Sequence, residues 1–222
     1  MKRTLFATTM LGAMALSFTA SAQGLFDMNA PLVGKDAGAL MVRARAVGVL
    51  PGDSNSSISA IGGHVGASQT AVPELDFSYF FTDHLATELI LATSQHTLQA
   101  KGTAVGSFDV GTVWALPPTL TLQYHFLPHE AFSPYVGAGL NGTLWYGEKP
   151  SAPVTHFNVG NSWGPAFQVG FDYNFAGRWF LNMDAKYILM NVAAHVDALN
   201  TTVRAHDQLN PVLLGAGIGY RF

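Results

Sequence analysis

Gly217-Ile218-Gly219-Tyr220-Arg221-Phe222 closes the chain, and its alternation decides how the rest is read. Extended upstream, one register places Val212, Leu214, Ala216, Ile218, Tyr220 and Phe222 on a single face. Leu213, Gly215, Gly217, Gly219 and Arg221 fall on the other. Successive side chains of an extended chain point to opposite sides, so this stretch is a strand with one apolar face. A soluble edge strand has the same look, and the remainder of the chain separates the possibilities.

Met1-Lys2-Arg3 is a short basic region, Leu5 to Phe18 an apolar run, and Ala20-Ser21-Ala22 an A-x-A cleavage site. That order is the order of a secretory signal peptide, so residues 1–22 are expected to be removed and residues 23–222 to form one barrel domain. The apolar run is too short for a spanning helix. Cysteine is absent, so an exported product depends on hydrogen bonding and packing instead of disulfides. Without Lys2 and Arg3, nine of the 11 basic residues remain against 14 acidic ones. No basic stripe exists, and nucleic acid is not an expected partner. Although 49% of the residues are hydrophobic, none of this apolar content beyond the leader forms an unbroken run of spanning length. Hydrophobicity dispersed over alternating segments is what a membrane barrel requires.

Eight segments carry the two-residue period. In the sixth, Trp163, Pro165, Phe167, Val169, Phe171, Tyr173 and Phe175 lie on one face, with Gly164, Ala166, Gln168, Gly170, Asp172 and Asn174 on the other. The seventh, Trp179 to Met190, sets Leu181, Met183 and Leu189 against Asn182, Asp184 and Lys186. The second sets Leu75, Phe77, Tyr79 and Phe81 against Glu74, Asp76 and Ser78. The fourth sets Leu120, Leu122, Tyr124 and Phe126 against Thr119, Thr121, Gln123 and His125. The fifth runs from Tyr135 to Tyr146 and the eighth is the tail. The first, Gly38 to Leu50, and the third, Leu85 to His96, carry apolar residues on both faces.

Short links at 82–84, 127–133 and 176–178 alternate with long ones at 51–71, 97–117, 147–162 and 191–208. Short turns on one side and long loops on the other are the organisation of an outer-membrane barrel, with the short turns periplasmic. Aromatics near the strand ends suit an interfacial girdle. Closure follows because an open sheet edge in hydrocarbon leaves unpaired backbone groups, each costing several kcal/mol. The expected fold is all-β, an eight-stranded antiparallel transmembrane barrel with short periplasmic turns and four long extracellular loops. In that setting Tyr220 and Phe222 read as the C-terminal assembly signal, which implies the barrel assembly machinery and outer-membrane lipid as partners and the Gram-negative outer membrane as location.

Several blocks together resemble the OmpW family of small outer-membrane proteins. They include Met41-Val42-Arg43-Ala44-Arg45-Ala46, Pro73-Glu74-Leu75-Asp76, and Phe80-Phe81-Thr82-Asp83-His84-Leu85-Ala86-Thr87-Glu88. They continue through Leu116-Pro117-Pro118, Pro134-Tyr135-Val136-Gly137-Ala138-Gly139, Ser162-Trp163-Gly164-Pro165 and Gly219-Tyr220-Arg221-Phe222. The long loops have no match. The resemblance implies a narrow, largely apolar interior admitting small hydrophobic molecules, with exit sideways through a gap in the wall. Trp163 matches a family tryptophan placed near the inner constriction of that passage. Alternation by itself puts Trp163 on the lipid face with Phe167, so an interfacial anchor and a passage-lining residue both stand as readings. Pro165 cannot donate a ladder hydrogen bond, and a break in pairing there would suit a lateral gap and turn Trp163 inward. Leu50, Val72 and Leu116 are expected beside the same mouth.

The inward face collects Arg43, Arg45, Glu74, Asp76, Glu88, Asp172, Asp184, Lys186 and Arg221, with Gln123, His125 and Asn182 between them. Eight strands leave a lumen barely wide enough for side chains, so these charges must pair. The expectation is an ion-pair plug in the periplasmic half, forcing cargo to leave above it. A water-filled porin needs about twice as many strands. Catalysis is not expected: no G-x-S-x-G exists, and His125 reads as the single inward histidine. His64, His96, His156, His195 and His206 lie in or next to the long loops without ligand spacing, so neither a metal nor a cofactor is expected. The function read is passive passage of small hydrophobic molecules. The alternatives are an adhesive or structural surface protein working through its loops, and a low-conductance ion pore.

Overall fold

The computed structural model describes residues 30–52, 54–58, 62–198 and 201–222. The expected signal peptide, residues 1–22, lies outside them. Fifteen strands are present among the described residues. They are β1 (Leu40–Leu50), β2 (Ser54–Ile58), β3 (His64–Ala67), β4 (Thr70–Phe80), β5 (Leu85–Ala92), β6 (Ser94–Thr103), β7 (Gly106–Leu116) and β8 (Thr119–His125). The second half of the chain supplies β9 (Phe132–Pro150), β10 (Val154–Val159), β11 (Ser162–Ala176), β12 (Trp179–Ile188), β13 (Asn191–Ala198), β14 (Thr201–Gln208) and β15 (Val212–Arg221).

Eight of these close an antiparallel barrel in the order β1, β4, β5, β8, β9, β11, β12, β15. β15 pairs back onto β1 from Met41–Arg221 to Leu50–Val212. The eight match the eight alternating segments of the sequence. The wall strands β1, β12 and β15 are 11, 10 and 10 residues long, the length a tilted strand needs to cross hydrocarbon. Alternation sorts the side chains as expected. Leu120, Leu122, Phe167, Val169, Leu181, Met183, Leu214 and Ile218 stand on the outer surface, while Thr119, Gln123, Gln168, Asp172 and Arg221 are buried. An outer face of this kind is apolar where it meets lipid and needs no further cover.

The lumen is filled by unequal partners across the ladder. Tyr135 stands opposite Gly170, and a Cβ on that glycine would lie 2.6 Å from the tyrosine hydroxyl. Phe180 stands opposite Gly219, and a Cβ there would strike the phenyl ring. A barrel this narrow holds large inward side chains only where the neighbouring strand contributes almost nothing. At the short-turn end, outward rings cluster. Tyr124–Phe126, Trp179–Tyr220 and Tyr220–Phe222 have centroids 5.2, 4.9 and 4.9 Å apart, forming part of an aromatic girdle.

The four long connections are not irregular. β6 and β7 pair with each other, β3 joins β6, and β7 pairs with the upper part of β9 from Leu116–Leu144 to Gly111–Pro150. β10, β13, β14 and β2 make a separate four-stranded sheet. The Gly, Ser and Asn content of these segments reads as loop, but their strands pair with one another above the membrane part of the barrel.

Registered pairing lapses toward the loop end at two seams among the described residues, beside Ser162–Pro165 on the β12 side and beside β4. Registered pairing of β4 with β5 stops at Glu74–Ala92, and the next ladder on that side is β3 with β6 from Ala67–Leu98. Ser68 N–H donates to the Thr97 carbonyl at 3.1 Å. Between these points, Thr70 to Pro73 have a registered partner on β1 but none on the β5–β6 side among the described residues.

Candidate functional site

The lower lumen is an ion-pair network. Arg43 Nη1 lies 3.1 Å from both Asp76 and Glu88, and its Nη2 lies 3.2 Å from Asp172. Arg45 reaches Glu74 at 2.6 Å, Asp76 at 2.9 Å and Asp184 at 3.3 Å. Lys186 joins Glu74 at 3.0 Å to Asp184 at 3.1 Å. The short inward strand positions bring these groups together because β1, β4, β11 and β12 all aim polar residues at the same level. Arg221 is buried as well, donating to the Gly34 carbonyl at 3.1 Å and lying 5.8 Å over the Phe180 ring.

Lys35 was not foreseen from the sequence. It precedes β1, yet its ammonium donates to Asp172 at 2.8 Å, Ser133 at 2.7 Å and His125 Nδ1 at 2.8 Å. His125 therefore carries its proton on Nε2 and donates it to Gln123 Oε1 at 3.1 Å. With Lys35 the buried set comes into balance: Lys35, Arg43, Arg45, Lys186 and Arg221 face Glu74, Asp76, Glu88, Asp172 and Asp184. Burial of unpaired charge is costly enough that such a set must neutralise itself.

Above the network the lumen turns apolar. A cavity of about 60 Å³ is lined by residues including Val49, Ala115, Ile188, Met190, Leu209 and Leu213. Trp145 and Leu209 also line a further apolar space above it, with Val65, Leu98, Val159 and Val192. Val49, Ser94, Pro117, Ile188 and Leu213 are shared with a lower space that also meets Val47, Val72, Ile90, Glu74 and Lys186. The three form a column that descends onto the Glu74–Lys186 pair. Apart from Val72, these residues were not singled out from sequence, many of them belonging to segments read as loop or to the weakly alternating strand ends.

The expected gating residues divide. Val72 lines the lower end of the column. Leu50 and Leu116 are 37% and 36% exposed. Trp163 is 74% exposed and does not turn inward; its ring lies over Gly142 on the outer surface. Pro165 breaks no pairing with β9, whose register runs unbroken from Ser162–Thr143 through Pro165–Leu140. Its carbonyl accepts from Leu189 N–H at 2.9 Å. On the β12 side registered pairing stops at Ala166–Ile188, so the N–H that proline lacks is missing where that ladder ends.

Two histidine readings also change. His125 is not the single inward histidine: His96 is buried on β6, in the chamber wall. His129 meets Asp36 and Asp83 at the short-turn end, the three offering ligand atoms within 4.8 Å of one another. Distances of 46 positions or more in sequence hid that cluster, in which His129 lies 3.3 Å from Asp83 and 3.8 Å from Asp36.

The OmpW family profile matches residues 36–222. An outer-membrane protein of Sinorhizobium fredii, y4mB, is 44% identical over 82% of this chain and 79% of its own length. Outer membrane protein W of Vibrio cholerae is 32% identical over 87% of this chain and 93% of its own. The crystal structure of OprG from Pseudomonas aeruginosa superposes with a TM-score of 0.80 at 27% identity, covering 86% of this chain and 99% of that one. Barrel closure, lipid-facing exterior and sequence agree: this chain belongs to the OmpW family, non-enzymatic β-barrel proteins of the Gram-negative outer membrane.

Proposed function

We propose that the barrel gives small hydrophobic molecules a passive route from outside into the outer membrane. The observation that carries this reading is the apolar column ending on the Glu74–Lys186 pair. A solute entering at the top meets hydrocarbon side chains and loses its contact with water, which favours entry by about 25 cal/mol per Å² of apolar surface. It cannot continue downward, because the ion-pair network fills the lumen beneath and acts as a plug. Exit is then sideways. The incomplete seam between β4 and the β5–β6 side is the place best suited to it, since Val72, Ala92 and Ser94 flank that seam and line the same space. The balanced network argues against an ion pore: a small ion would have to replace bonds that are already made.

Uptake by proteoliposomes tests the reading, with a small aliphatic solute offered against a sugar of similar size and heat-unfolded protein as blank. Selective entry of the apolar solute is expected. Equal exclusion of both would overturn the proposal.

A further inference from the structure

The middle chamber is not wholly apolar. Ser94, His96, Thr143 and Trp145 bring polar atoms to its lining, and Thr143 already donates to Asn141 at 2.9 Å. Ser94 Oγ lies 2.9 Å from His96 Nε2, and His96 Nδ1 lies 3.1 Å from the Ser68 carbonyl. A carbonyl can only accept, so Nδ1 holds a proton; in apolar surroundings the imidazole stays neutral, which leaves Nε2 as acceptor. The Ser94 hydroxyl therefore donates to His96, and its oxygen keeps its lone pairs for another donor. Trp145 presents the opposite need. Its indole Nε1 is buried without a hydrogen-bond partner in the protein, and an indole N–H can only donate. The His96 and Trp145 rings stand 6.4 Å apart at 64°.

Two residues of the chamber lining thus carry an unmet donor, on Trp145, and an open acceptor, on Ser94. A hydroxyl group answers both: it accepts once and donates once. We infer that the chamber selects small aliphatic or alicyclic alcohols over hydrocarbons of the same size, the alcohol oxygen accepting from Trp145 Nε1 and its proton going to Ser94 Oγ. The inference rests on the cargo reading above and narrows it to a chemical class. A hydrocarbon in the same place leaves the indole N–H unpaired, whereas the alcohol regains there the bonds it gave up in water. The expected preference is roughly tenfold in affinity.

The experiment uses the full barrel in lipid nanodiscs, isotope-labelled at tryptophan indoles and at Ile and Met methyls, titrated with cyclohexanol and separately with cyclohexane. The Ile188 and Met190 methyls report occupancy of the chamber; the Trp145 indole reports the polar bond. Cyclohexanol is expected to move the methyls and the Trp145 N–H together, at a concentration roughly tenfold below that required by cyclohexane. Trp145→Phe should abolish the preference while cyclohexane binding persists, and Ser94→Ala should reduce it. Folding of each variant is read from its heat-dependent gel mobility, and the wild-type indole signal decides the matter should either variant fail to fold. Methyl shifts at equal concentrations of the two ligands with an unmoved indole overturn the inference and leave the cargo reading standing. Methyls unmoved by either ligand overturn both.

Discussion

The Lys35 ammonium and the Asp172 carboxylate meet at 2.8 Å although 137 positions separate them. The pair ties the segment ahead of the first strand to β11 on the far side of the lumen. Each side chain is almost fully buried, so removing the cation leaves Asp172 with Arg43 as its remaining cation and Asn182 Nδ2 as a donor at 2.8 Å.

Lys35→Met should therefore lower stability by about 3 kcal/mol, the scale set by breaking one arm of a buried ion pair. The temperature at which the folded band is lost on semi-native gels measures it. A variant as stable as the wild type would show that this segment is not fastened by its lysine.

Gly219→Ala should destabilise by about 1–3 kcal/mol through overpacking, because the new methyl strikes the Phe180 ring. Phe180→Leu combined with it should recover part of that loss, giving clear non-additivity in a double-mutant cycle. Additive losses would place the strain elsewhere.

These first two sites illustrate what was legible. The two-residue period gave the eight wall strands and the inward or outward sense of nearly every charged residue, since alternation is local and survives without knowledge of partners. Lys35 carries no such period; only the closed barrel reveals that its segment enters the lumen. The outer strands β6, β7, β10 and β13 were hidden for a related reason. Their glycine, serine and histidine content signals loop, and pairing between distant segments overrode it. The apolar column was legible only in part: Val72 was placed at the mouth, but the share of the lining that comes from those outer segments was not.

Trp163→Ala should leave uptake of an apolar solute unchanged, because the ring faces outward. Ile188→Asp, placed in two of the stacked spaces, should reduce uptake severely while the barrel still folds. Proteoliposome uptake compares them; the reverse ranking would require the passage to run along the outer face at Trp163.

Sideways exit has its own test. The chain lacks cysteine, so Val72→Cys with Ser94→Cys introduces the sole reactive pair. A short bifunctional thiol reagent joining them should stop transfer into the bilayer, while a one-ended reagent of equal bulk should not. Equal inhibition by the two reagents would show that bulk in the lumen, not closure of the seam, is responsible.

β9 is a single strand of 19 residues, paired first in the membrane wall and then with β7 beyond it. At about 3.3 Å per residue it extends about 60 Å, and a tilt of about 40° leaves a height of about 45 Å. The apolar band of an outer-membrane barrel is only about 25 Å tall. Because Phe132 starts the strand within the girdle, nearly all the surplus rises on the outer side. The top of the column accordingly stands clear of the charged headgroups, and on the proposed route a greasy molecule would enter from solution without having to wade through that polar layer.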